Sequence, residues 1–210
     1  MKDIRIATII FNSPVGCARD NLARTEYWIS RAKAEKASII CFPEMNITGY
    51  TTKTAIRKAA ISSTGVIAKS LARLAADRDM AILAGMAEKD KAGKIFASHL
   101  VVQPCGTIEV YRKLHLAPPE QSLFSPGTEI PVFEAFGLKF GIQLCYDAHF
   151  PELSTHMALK NVDVIFMPMP LPMEHRKKNT GHGAAICRHG PLITAFLSLL
   201  AIRPAQMVTD

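Results

Sequence analysis

The chain has 210 residues, a hydrophobic fraction of 49%, a charged fraction of 20% and a formal net charge of +7. That length suits one domain with a sizeable core, and the balance is that of a soluble globular protein, with no apolar run near the roughly 18 residues that cross a bilayer. The basic residues are scattered, with no stripe interleaved with aromatics, which argues against nucleic acid as a partner.

Residues 3–11 alternate apolar and polar before turning wholly apolar, which predicts a strand. Residues 18–36 carry Leu22, Trp28, Ile29 and Ala32 at helical spacing. Residues 38–42 read as a short buried strand ended by Pro43, which cannot donate to a ladder. A second amphipathic helix is predicted over 61–78, through Ile61, Ile67, Leu71 and Leu74, and a strand over 80–87. Residues 89–94 form a turn between strands, and strands follow at 95–103 and 107–112. A proline-containing loop spans 114–128; strands at 131–135 and 138–144 lead to Cys145, a helix starts near Pro151, and residues 162–167 form another buried strand. Strands in pairs with helices between them predict a mixed α/β fold of two sheets with helices packed outside.

Three of these strands end in reactive side chains: Phe42-Pro43-Glu44, Tyr111-Arg112-Lys113 and Leu144-Cys145-Tyr146-Asp147. A carboxylate, an ammonium and a thiol supply a base, an electrophilic cation and a nucleophile, which is what hydrolysis of an amide-like C–N bond needs. A strand-to-helix turn projects Cys145 and leaves nearby N–H groups for an oxyanion. A carboxylate at the mouth of a core strand, as Glu44 is, has its pKa raised by desolvation, which suits a base. Lys113 would stabilise the oxyanion, and Glu120 in the following loop would orient Lys113. A rival arrangement pairs Cys145 with His115 or His149 as a thiol protease or acyltransferase, but leaves Glu44 and Lys113 unused. The five cysteines form no CxxC pair, so neither a zinc site nor a disulfide framework is indicated, and no signal-peptide pattern opens the chain. A reducing, cytoplasmic setting follows.

In this order, the segments CFPEMNITGY, YRKLHL, FSPGTEIPVF and GIQLCYDAHFPE resemble the nitrilase superfamily of carbon–nitrogen hydrolases over about residues 1–168. The resemblance implies a four-layer α-β-β-α sandwich, here incomplete at the C-terminus. It implies a triad in which Glu44 is the base, Lys113 stabilises the tetrahedral intermediate and Cys145 forms a thioester acyl-enzyme. Glu120 resembles the additional Glu of many members, and the backbone N–H of Tyr146 is a candidate oxyanion donor. The implied substrate is a linear amide or N-carbamoyl compound, with no metal or organic cofactor, and members commonly assemble as homo-oligomers.

After Met167 the likeness stops, and residues 169–210 read as a non-family tail. Shifted by one base, with synonymous codons, Cys187 to Ile202 spells PARAFDN and then VFVAACN, close to the RAFDN and VAACN expected there. This indicates a frameshift near the Pro168 codon and an inactive product as the alternative to a working hydrolase; a divergent tail with an apolar helix over Leu192–Ile202 is the other reading. Sequencing the DNA from Met167 to Glu174 decides it: one extra base is expected, and an unbroken frame rejects the shift.

Overall fold

The computed structural model describes residues 4–171 and the backbone of 183–187 and 198–201. Its strands are β1 (Ile6–Ile10), β2 (Ile39–Cys41), β3 (Ala81–Lys89), β4 (Ile95–Val102), β5 (Ile108–Arg112), β6 (Phe133–Ala135), β7 (Leu138–Ile142), β8 (Val164–Met167), β9 (Gly183–Cys187) and β10 (Ser198–Ala201). Its helices are α1 (Ala18–Ala34), α2 (Ala55–Ala59), α3 (Val66–Arg78) and α4 (Pro151–Leu159). One sheet runs β5-β4-β3-β2-β1-β9 and the other β10-β8-β7-β6. β1, β2 and β3 are parallel neighbours, so each connection crosses over through helix, while β3, β4 and β5 are antiparallel and need only turns.

Period-two alternation sorts the side chains into layers. Ile40 and Phe42 face one way and pack with Ile29 of α1 and Leu71 of α3. Ile39 and Cys41 face the other way and pack with Leu83, Phe140, Ile142 and Phe166 between the two sheets. On β8 the pattern repeats: Val164 and Phe166 turn to the sheet interface, and Ile165 packs with Met157 of α4. Helices on both outer faces and two sheets within make the α-β-β-α sandwich.

Three local differences from the sequence reading have physical causes. The helix expected from Ile61 begins at Val66, because the Ile61 N–H donates to the Ala87 carbonyl (3.0 Å) and its carbonyl accepts from Lys89 (2.8 Å). The short α2 carries too few turns to show a periodic stripe. The strand expected to reach residue 144 ends at Ile142, since the Leu144 N–H is taken by the Asp147 carboxylate (3.0 Å) and Cys145 opens a short 3-10 helix to His149. The tail boundary at residue 168 and the frameshift concern residues that lie largely outside the described ones. Within Leu192–Ile202, the alternative apolar helix, the backbone of Ser198–Ala201 is instead extended and pairs antiparallel with β8, whose edge N–H and C=O groups need partners.

Phe140 is fully buried between the sheets, its ring centroid 5.6 Å from Phe133 and 5.3 Å from Phe166. Phe140→Ala should cost about 3–5 kcal/mol in urea unfolding. Leu159→Ala, at a side chain 79% exposed, should stay within about 0.5 kcal/mol. Equal small losses would show that Phe140 does not hold the sheets together.

Candidate active site

Four segments meet at one end of the sandwich. β2 stops before Pro43, and Glu44 follows in a turn laid flat against β3. The turn can lie there because β3 has glycine at 85: a Cβ at Gly85 would run into the Met45 amide nitrogen. Asn46 fixes the approach, its Oδ1 accepting the Gly85 N–H (2.8 Å) and its Nδ2 donating to Thr25 (3.1 Å). The Glu44 N–H donates to the Met169 carbonyl (3.2 Å).

Lys113 follows β5 and is held at its backbone, its N–H donating to Ala97 (2.9 Å) and its carbonyl accepting from Gly127 (2.8 Å). Its neighbour Arg112 points the other way. Arg112 donates through Nε and Nη2 to both oxygens of buried Glu88 (2.8 and 2.9 Å), and its guanidinium lies 4.1 Å from the Phe96 ring centroid. Ser63 and Ser98 complete the Glu88 shell at 2.7 Å each. Burial works to raise the Glu88 pKa, but these hydrogen bonds outweigh it and hold the carboxyl below its ordinary value.

The Lys113 ammonium is fully buried. Nζ donates to Glu44 Oε1 at 3.0 Å and reaches both oxygens of Glu120, Oε1 at 3.1 Å and Oε2 at 2.9 Å. Glu120 sits at the end of a short 3-10 helix over Pro118–Glu120 and also accepts from the Tyr50 hydroxyl (3.0 Å) and the Ala117 N–H (2.9 Å). Burial tends to lower the Lys113 pKa, but the flanking carboxylates override it and hold the ammonium charged. Burial raises Glu44 to about 7 against the opposing pull of Lys113. The second oxygen of Glu44, Oε2, is buried and makes no hydrogen bond with the described residues.

Cys145 is partly buried and carries a φ of +45°, a left-handed conformation rare for a residue with a Cβ. Its N–H donates to Pro168 (3.1 Å). Burial first, then the Glu44 charge, push the thiol up to about 11 against the opposing effect of Lys113. The proton therefore rests on sulfur near neutral pH. The Tyr146 N–H lies in the first turn of the 3-10 helix, where N–H groups lack an intrahelical acceptor. The structure thus brings together Glu44, Lys113 and Glu120 in direct contact, with Cys145 within reach of their charges and Tyr146 next to it in the chain.

The histidines turn elsewhere. His149 Nδ1 lies 3.2 Å from the Tyr146 carbonyl, and His115 Nδ1 lies 3.2 Å from Asp147 with its ring stacked on Phe150 at 3.6 Å. Tyr50 and Asp147 were not singled out from sequence as part of the site; an acid two residues past the candidate nucleophile was the one signal available. Among the described residues no three His, Cys, Asp or Glu side chains converge as a metal site, and no helix is long and apolar enough to cross a membrane.

Residues 5–195 match the family model described as carbon-nitrogen hydrolase. A nitrilase of Pyrococcus abyssi is 33% identical over 82% of this chain and 67% of its own length. An (R)-stereoselective amidase of a Pseudomonas species is 31% identical over 70% of this chain and 53% of its own length. A solved mutant amidase from Nesterenkonia sp. AN1 superposes with a TM-score of 0.73 at 20% identity, covering 80% of this chain and 65% of that one. That structure shows covalent addition of the acetamide moiety of fluoroacetamide at its active site cysteine.

Removing the ammonium tests the site's electrostatics. Lys113→Met leaves Glu44 and Glu120 buried without their cation and should cost about 3–5 kcal/mol at pH 8. Glu44 then binds its proton still more tightly folded than unfolded, so the loss should shrink as pH falls from 8 towards 5. The check is the urea midpoint of wild type and variant against pH; a gap that does not narrow in acid would contradict the buried cluster.

Proposed function

The chain belongs to the carbon–nitrogen hydrolase family, and from that we propose that it hydrolyses the non-peptide C–N bond of a linear amide or N-carbamoyl compound through a Cys145 thioester. The observation that carries the reading is the buried Glu44–Lys113–Glu120 cluster beside a neutral thiol, with one Glu44 oxygen unpartnered. The covalent addition at the Nesterenkonia amidase cysteine supports, by likeness, a cysteine that acts as the nucleophile.

Sulfur attacks the carbonyl carbon while Glu44 takes the thiol proton. A neutral thiol with a raised pKa makes this transfer part of the attack and not a step before it. The oxyanion that forms is stabilised by the Lys113 ammonium and the Tyr146 N–H. Collapse breaks the C–N bond, and Glu44 returns its proton to the departing nitrogen as ammonia or amine. Water then gives a proton to Glu44 and attacks the thioester, and the acid leaves as Cys145 recovers its proton. Glu120 keeps Lys113 charged and aimed throughout, helped by Tyr50. The thiol chemistry suits a reducing compartment, and the family resemblance suggests a homo-oligomer.

Ammonia release from a panel of short linear amides and N-carbamoyl amino acids tests this. Cys145→Ala should show no release above background, and Glu44→Gln should lose about 100-fold or more in kcat. Because the base must be unprotonated, kcat/KM should fall with acid below about pH 7. Turnover persisting in Cys145→Ala would sink the thioester route.

A further inference from the structure

Asp147 has no part in the steps above, yet it is a fully buried carboxylate two residues beyond the thiol. Burying such a charge is costly unless its oxygens are supplied with donors. Here each oxygen takes two. Oδ2 accepts from the Tyr111 hydroxyl at 2.7 Å and the Leu144 N–H at 3.0 Å. Oδ1 accepts from the His115 N–H at 2.8 Å and lies 3.2 Å from His115 Nδ1.

The placement of those donors is informative. Tyr111 and His115 flank Lys113, two residues to either side, and Leu144 immediately precedes Cys145. A side chain serving only to cap its own 3-10 turn would need the bond to Leu144 alone. Three of the four contacts go instead to the segment that carries the ammonium. Cys145 itself holds the left-handed φ of +45°, which a residue with a Cβ keeps only where its surroundings enforce it. We propose that Asp147 is a positioning residue: it clasps the Lys113 segment to the turn bearing Cys145 and so fixes the thiol against Glu44. This rests on Cys145 and Glu44 acting as nucleophile and base, as above.

The test measures coupling between Glu44 and Cys145 and needs no substrate turnover. Iodoacetamide alkylation of the full chain at pH 7.5 is followed by peptide mass spectrometry, with Cys105, exposed in the β4–β5 turn, as the reference thiol in the same sample. In wild type, Glu44→Gln should speed Cys145 alkylation relative to Cys105 by 10-fold or more, because it removes the charge that raises the thiol and leaves Lys113 freer to hold a thiolate. In an Asp147→Asn background, Glu44→Gln should change that ratio less than threefold, because the thiol no longer sits against the base. An equal Glu44→Gln effect in both backgrounds overturns the clasp. Should Asp147→Asn not fold, Tyr111→Phe, which removes one hydroxyl, replaces it and should reduce the Glu44→Gln effect at least threefold. Glu44→Gln without effect in wild type sinks the base assignment instead. The clasp is then judged on Tyr111→Phe alone, which must move the Cys145 to Cys105 ratio at least threefold; an unmoved ratio overturns it.

Discussion

An ammonium with no access to water sets the terms for this structure. Lys113 is tolerable only because two carboxylates, from segments 69 residues before it and 7 residues after it, reach the same nitrogen. Neither carboxylate would be tolerable there without the ammonium. The backbone around each group is accordingly fixed by bonds that have nothing to do with chemistry: Gly85 and Asn46 seat the Glu44 turn, and the Arg112–Glu88 pair anchors the strand end on the opposite side from Lys113. The sandwich supplies the rigidity. Its two sheets pack through Phe140, Phe166 and Leu83, so the ends of β2, β5 and β7 cannot drift apart independently.

The same burial raises the pKa of both reactive acids. It raises Glu44 into the range where a carboxylate is both a useful base near neutrality and a useful acid once it holds a proton. It raises the Cys145 thiol too, aided by the Glu44 charge, so the resting nucleophile is neutral. A thiolate standing ready would need a cation free to pair with it. Lys113 is not free: its charge is already shared between Glu44 and Glu120. The ammonium is thus better placed to meet new negative charge on a substrate oxygen than to hold a resting thiolate. Glu44 keeps one oxygen without a partner among the described residues.

Beside this cluster lies another buried carboxylate, Asp147, whose partners among the described residues are hydroxyl, amide and imidazole groups and no Lys or Arg. The contrast is physical. Glu44 and Glu120 offset the Lys113 charge directly, whereas Asp147 spends its four acceptor contacts on two stretches of backbone and the side chains beside them. Glu88 shows a third solution, a bidentate Arg112 with two serines, placed outside the site. Four buried acids on adjoining strands and turns therefore do three different jobs, and no feature of local sequence separates them.

Much of this was legible from the chain. Alternating and wholly apolar runs marked β1 to β8, though not β9 and β10 in the stretch read as a tail, and Pro43, the residues after Arg112 and the run to Cys145 marked where reactive side chains emerge. The strand-end placement of Glu44, Lys113 and Cys145 follows from one-dimensional pattern, because strand period and turn chemistry are local. What the pattern could not contain was contact between distant segments. That Tyr50 braces the Glu120 expected beside Lys113, that Gly85 admits the Glu44 turn, and that Asp147 reaches across to Tyr111 and His115 depend on how two sheets pack and twist. Helix α2 and the five-residue 3-10 helix at Cys145 were likewise invisible, being too short to carry a period. The sequence by itself determined strands β1 to β8, the order of the reactive groups and the family they belong to. Only the tertiary structure decided which carboxylate meets which donor, because burial and hydrogen-bond distance are properties of the packed molecule and not of spacing along the chain.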